Sequence, residues 1–124
     1  MKPLYLLVFT MLITTSMQIH AADNCNNPET QLEMNVCSAQ QYRLEDAKLN
    51  KNYKELVRKL DPSEKQRLKA VQLSWIKFRD LQCEFEASKY EGGSIQPLVR
   101  SSCLTQMTKQ RNKDLRAMIE DASL

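Results

Sequence analysis

Four cysteines, Cys25, Cys37, Cys83 and Cys103, are the residues of this 124-residue chain whose types and spacing most directly specify chemistry. Four thiols can form two disulfides, ligate a metal or carry out redox exchange. No two of them stand in a C-x-x-C spacing, so the usual signature of zinc sites and thioredoxin-like centres is missing. The N-terminus points to the first of the three. Lys2, a mostly apolar run from Leu4 to Leu12, and the small residues Ala21 and Ala22 after Ile19 and His20 read as a secretory signal over residues 1–21, cut after Ala21. The mature chain, residues 22–124, is then expected in the periplasm or outside the cell, where an even set of thiols becomes structural disulfides. The apolar run is shorter than the roughly 20 residues of a membrane span, and no later segment is long and apolar enough. Asp23 and Asn24 before Cys25 are not the context of a lipidated cysteine, so no stable membrane anchor is expected.

Loss of the signal also removes chemistry. His20 is the sole histidine, and without it neither a Ser–His or Cys–His dyad nor a histidine-bearing zinc site can be built. No paired carboxylates on recognisable loops and no glycine-rich phosphate loop stand in for it, so the expectation is a non-enzymatic protein with no cofactor and no metal. Removing Lys2 from the 18 basic residues leaves 17 against 15 acidic ones, a net charge of +2. The signs are interspersed and no aromatic platform separates them, which gives no support to nucleic-acid binding.

The elements that must position these residues are legible from prolines and period. Asn27-Pro28, Asp61-Pro62-Ser63-Glu64 and Ser94-Ile95-Gln96-Pro97 each place a capping residue and a proline where a helix should begin, and the second carries a capping-box glutamate. Gly92 and Gly93, the only glycines, mark a tight connection. Helices are therefore expected over about residues 29–60, 62–89 and 95–121. Apolar positions step by three and four along the first (Ala39, Tyr42, Asp46, Leu49, Tyr53, Leu56, Leu60) and the second (Leu68, Val71, Trp75, Phe78, Gln82, Phe85). The third is weaker, from Leu98 and Ser102 to Leu115 and Ile119. A sustained helical period with short connections specifies an all-α fold of three long helices in an antiparallel hairpin-type bundle stapled by disulfides.

Folding the chain at those connections brings Asp46, Asn50, Gln72, Trp75, Arg79, Thr108 and Arg111 to one level. Asp46 on an apolar seam needs a partner, and Arg79 or Arg111 can donate charge-assisted hydrogen bonds to it. The cluster reads as a structural polar network that fixes helix register, with a ligand pocket as the alternative. By the same folding Cys83 and Cys103 stand level on neighbouring helices, and Cys37 lies on a second face that the segment bearing Cys25 can cover. Cys25–Cys37 with Cys83–Cys103 is the preferred pairing; a bridge between Cys37 and Cys83 is also level and competes with it.

The ordered words Met34-Asn35-Val36-Cys37-Ser38, Asp46 with Leu49-Asn50 and Tyr53, Gln72-Leu73-Ser74-Trp75-Ile76-Lys77-Phe78-Arg79-Asp80-Leu81-Gln82-Cys83, Gly92-Gly93-Ser94, Cys103, Met107-Thr108-Lys109-Gln110-Arg111 and Leu115 run through the whole mature chain. In that set the chain resembles the LprI-like lysozyme inhibitor family, with Met107 where leucine is more usual. The resemblance implies a secreted or periplasmic all-α protein that binds a protein partner, a lysozyme or another peptidoglycan hydrolase. An envelope structural or immunity-type protein that binds another cell-wall enzyme or a toxin is the alternative. The turn Glu91, Gly92, Gly93 and Ser94 is the candidate partner contact, against its plainer reading as a helix connection. Glu84, Glu86 and Glu91 supply negative charge beside it for a basic partner.

Overall fold

The computed structural model describes residues 25–124, and the expected signal over residues 1–21 lies outside them. Three α-helices follow one another: α1 (Gln31–Lys59), α2 (Pro62–Ser88) and α3 (Gln96–Asp121). α2 starts on the expected capping box: Glu64 N donates to Asp61 Oδ1 at 2.8 Å, and Asp61 N donates to Glu64 Oε2 at 2.9 Å. α1 starts on a different residue from the expected Asn27. Its N-cap is Thr30, whose hydroxyl accepts from Glu33 N while Glu33 returns a bond to Thr30 N. The pattern T-x-x-E is itself a capping box, and it outcompetes the single cap offered by Asn27. α3 has Ile95 as its N-cap and no side-chain cap; the expected cap, Ser94, stands one position earlier, inside the turn in which Gln96 N donates to Gly93 O at 3.2 Å.

α1 and α3 run parallel and approach closely along their length, α2 runs back between their levels and packs on α3, and α1 meets α2 mainly through side chains. α3 is thus the central helix and is covered on two sides. That is why its buried residues, Cys103, Leu104, Thr105, Thr108, Arg111, Asn112 and Leu115, spread over more than one face and blur its apolar period. The core has two apolar clusters. Leu49, Leu56, Leu68 and Leu115, with Tyr53, Val57, Leu60, Trp75 and Ile119 packed around them, fill one end. Cys83, Cys103 and Leu104, flanked by Tyr42 and Met107, fill the other. A polar layer separates them.

The two disulfides are Cys25–Cys37 and Cys83–Cys103, with Cα–Cα distances of 5.4 and 5.5 Å. The first ties the segment before α1 onto that helix. The second joins α2 to α3 in the core and sets how α2 is rotated. With Cys83 turned inward, the buried stripe of α2 is Leu68, Gln72, Arg79, Cys83 and Ala87. The expected seam therefore has the right period and the wrong phase. Leu68 is buried and Trp75 and Gln82 are half-buried, but Val71, Phe78 and Phe85 face outward.

Candidate functional site

The connection between α2 and α3 is a compact turn held by its own backbone. Tyr90 N donates to Ala87 O at 3.0 Å, Glu91 N to Ser88 O at 3.1 Å and Gly93 N to Tyr90 O at 2.9 Å. Gly92 has φ +75°, a conformation that suits glycine. Gly93 is needed for another reason: a Cβ there would stand 3.1 Å from the Tyr90 carbonyl oxygen. Asn35 on α1 reaches across and donates through Nδ2 to Ser94 O at 2.9 Å. Below the turn, the Cys83–Cys103 bridge joins the two helices that carry it. Glu91, Gly92, Gly93 and Ser94 are all exposed on this pinned loop. Beside it, Glu84 pairs with Arg100 at 2.9 Å on the surface, and Glu86 accepts from Gln82 at 3.0 Å.

The polar layer lies further along the bundle and centres on Arg79, whose side chain is buried. Its Nη1 donates to Asp46 Oδ1 at 3.1 Å and to Thr108 Oγ1 at 3.3 Å, and its Nη2 lies 2.9 Å from Asp80 Oδ1. The guanidinium also sits over the rings of Tyr42 and Trp75, 5.3 and 5.2 Å from their centroids. Arg111 turns to Gln72 instead of Asp46: its Nε donates to Gln72 Oε1 at 3.0 Å, and its guanidinium lies 5.8 Å from the Trp75 ring centroid. Asn50 joins the layer only at its exposed edge, donating through Nδ2 to Asp46 Oδ2 at 3.4 Å. It donates to the Asp46 carbonyl oxygen one turn back on α1, at 3.0 Å, and is exposed.

Asp46 itself is half-exposed, and the buried carboxylate of α1 is its neighbour Glu45. Lys48 donates to Glu45 Oε1 at 2.8 Å, and Asn112 on α3 donates to Glu45 Oε2 at 3.2 Å. Asn52 donates to Asn112 Oδ1 at 3.0 Å and completes a second polar cluster, between α1 and α3. The hydrogen bond from Lys48 holds the Glu45 carboxyl below the usual carboxylate range, against the opposing effect of burial. The sequence signal available for it was the Glu45–Lys48 spacing of three residues, a common helical pair that singles out no position.

Neither cluster has the form of a reaction centre. The carboxylates point to fixed cations and amides, and among the described residues no group of three or more His, Cys, Asp or Glu could hold a metal ion. No helix of the described residues is long and apolar enough to cross a membrane.

The family model described as "Lysozyme inhibitor LprI" matches residues 21–115, a span that contains both disulfides, the glycine turn and the polar layer. The chain belongs to the LprI lysozyme inhibitor family. An uncharacterised protein of Rhizobium meliloti (strain 1021) is 33% identical over 112 residues, covering 80% of this chain and 81% of the relative. No solved structure matches. The family is one of inhibitors rather than enzymes. LprI membership and the two disulfides together indicate an extracytoplasmic protein with a protein partner.

Proposed function

We propose that the protein is a periplasmic or secreted inhibitor that binds a lysozyme-type peptidoglycan hydrolase and blocks it without chemistry. The observation that carries this reading is the LprI family match across residues 21–115. The turn formed by Glu91, Gly92, Gly93 and Ser94 is the proposed contact. It projects from the end of the bundle and is exposed. Its own backbone bonds, Asn35 and the nearby disulfide hold it in one shape. A loop ordered before binding loses little conformational entropy when it enters a cleft, which favours affinity. Glu84, Glu86 and Glu91 give that end a negative edge, and lysozymes that carry excess positive charge would be drawn to it.

In this reading Asp46, Gln72, Trp75, Arg79, Thr108 and Arg111 are a structural network that keeps α2 and α3 in register and so presents the turn. A lysis-protection assay with the disulfide-bonded mature chain against lysozymes of several structural types tests the proposal. Protection from at least one type at near-equimolar ratio is expected. Absence of protection from every type at stoichiometric excess would overturn it in favour of an envelope structural or immunity-type role.

A further inference from the structure

The outer face of α2 has no assigned role and an unusual composition. Val71, Phe78, Leu81 and Phe85 are 53, 57, 62 and 65% exposed. With Ser74 and Ser88 they recur at alternating three- and four-residue steps along one side of the helix, opposite the buried stripe. That is the seam of a coiled coil, with positions 71, 78 and 85 as one set of knobs and 74, 81 and 88 as the other. Two phenylalanines, a leucine and a valine in one row make a patch of roughly 400–500 Å², at the size where an exposed apolar surface of a soluble protein signals an interface. No other segment of the described chain packs over it.

We propose that this face binds a second copy of the chain, as an antiparallel α2–α2 pair about a twofold axis. The register follows from side-chain size. In an antiparallel seam each knob of one set meets a knob of the other set. One alignment places Phe78 against the partner's Leu81, Phe85 against the partner's Ser74 and Val71 against the partner's Ser88. Each phenylalanine thus faces a smaller side chain, and the symmetry repeats every pairing. A parallel pair would stack Phe78 on the partner's Phe78 and Ser74 on the partner's Ser74, crowding one layer and leaving the next hollow.

Charge selects the same alignment. The flanking positions of the antiparallel seam bring Lys77 beside the partner's Glu84, and Glu84 beside the partner's Lys77. The ion pair of Glu84 with Arg100 is itself exposed, so a lysine can join it there. A basic hydrolase has less reason to choose this face, because Arg67, Lys77 and Lys89 edge it. The interface totals about 1,000 Å², the lower end for a specific complex, and so fits a reversible dimer of about micromolar affinity.

Sedimentation velocity on the disulfide-bonded mature chain, from about 1 to 500 µM, tests the pairing. A shift from monomer to dimer across that range is expected. Phe78→Asp should abolish the shift while the circular dichroism spectrum and Tm stay unchanged, since the residue is exposed. Lys77→Glu and Glu84→Lys should each weaken the dimer about tenfold or more, and the double exchange K77E/E84K should restore it. A monomer at every concentration, a dimer that survives Phe78→Asp, or a double exchange no better than the single ones would overturn the proposal. Lysis protection is read separately on Phe78→Asp and Lys77→Glu, whose positions lie outside the proposed contact, because Glu84 also belongs to the negative edge beside the turn; loss of the dimer with protection intact then separates failure of one reading from failure of the other.

Discussion

Asn112 on α3 donates one amide group to both the main-chain carbonyl and the carboxylate of Glu45 on α1, at 3.1 and 3.2 Å. Both residues are buried, and Asn52 and Lys48 complete their hydrogen bonding. Two parallel helices have no connecting loop of their own to set their relative height. This polar cluster sets it, as a single buried asparagine can fix register in a helical seam. Replacing Asn112 by alanine leaves Glu45 without that donor and Asn52 without its acceptor. The expected cost is about 1–3 kcal/mol in urea unfolding, with the two-state slope unchanged.

Glu45 also gives the protein a defined acid response. Its folded pKa is depressed, chiefly by the hydrogen bond from Lys48, while burial works in the opposite direction. A group with a depressed folded pKa contributes stability above its unfolded value, about 4.3 for glutamate, and that contribution is lost as pH falls through the folded value. The Tm of the native chain should therefore fall steeply below pH about 4.3. In Glu45→Gln the same decline should be shallower, measured by calorimetry between about pH 6 and 3.

Arg79 and Asp46 form a pair with unequal consequences. The Arg79 side chain is 5% exposed and that of Asp46 is 36% exposed. Asp46→Ala should cost no more than about 1 kcal/mol, because water replaces it and Arg79 keeps Asp80 and Thr108. Arg79→Ala empties the space between Tyr42 and Trp75 and should cost about 2–4 kcal/mol. Arg79→Met refills that space without a buried charge and should recover at least half of the loss, read from denaturation midpoints.

These residues also show how far the sequence could be read. The proline and capping signals located the helices because they are local, and the Asp61–Glu64 box formed as its letters specify. The disulfide pairing was legible only as a preference, since the two turns put Cys83 level with Cys103 but also with Cys37; the structure forms the preferred Cys25–Cys37 and Cys83–Cys103. The rotation of α2 did not follow. Apolar weight favoured Val71, Phe78 and Phe85 for the interior, whereas the inward positions are held by Arg79, Gln72 and Cys83. Their partners, Thr108, Arg111 and Cys103, lie on another helix, and no local pattern announces such pairings. The exchange of Glu45 for Asp46 has the same origin: one residue of phase decides which carboxylate is buried, and the cross-helix partners that distinguish them, Asn112 for Glu45 and Arg79 for Asp46, are not local in sequence.

The two glycines of the turn should respond differently to alanine. Gly92→Ala meets no atom within 4 Å but must hold φ near +75°, at a cost of about 1 kcal/mol. Gly93→Ala places a methyl group 3.1 Å from the Tyr90 carbonyl oxygen, so the backbone must shift and the shape of the loop changes. Inhibition should weaken more for Gly93→Ala than for Gly92→Ala at equal helical content, as measured by titration against a susceptible lysozyme.

That titration, with the native turn, bears most directly on the inhibitor reading. Residual lysozyme activity on cell-wall substrate is followed as the oxidised mature chain is added at a fixed enzyme concentration. Activity should fall in proportion to added protein and level off near one equivalent, with reduced protein much less effective. Activity that stays flat past several equivalents for every lysozyme type would contradict the inhibitor function.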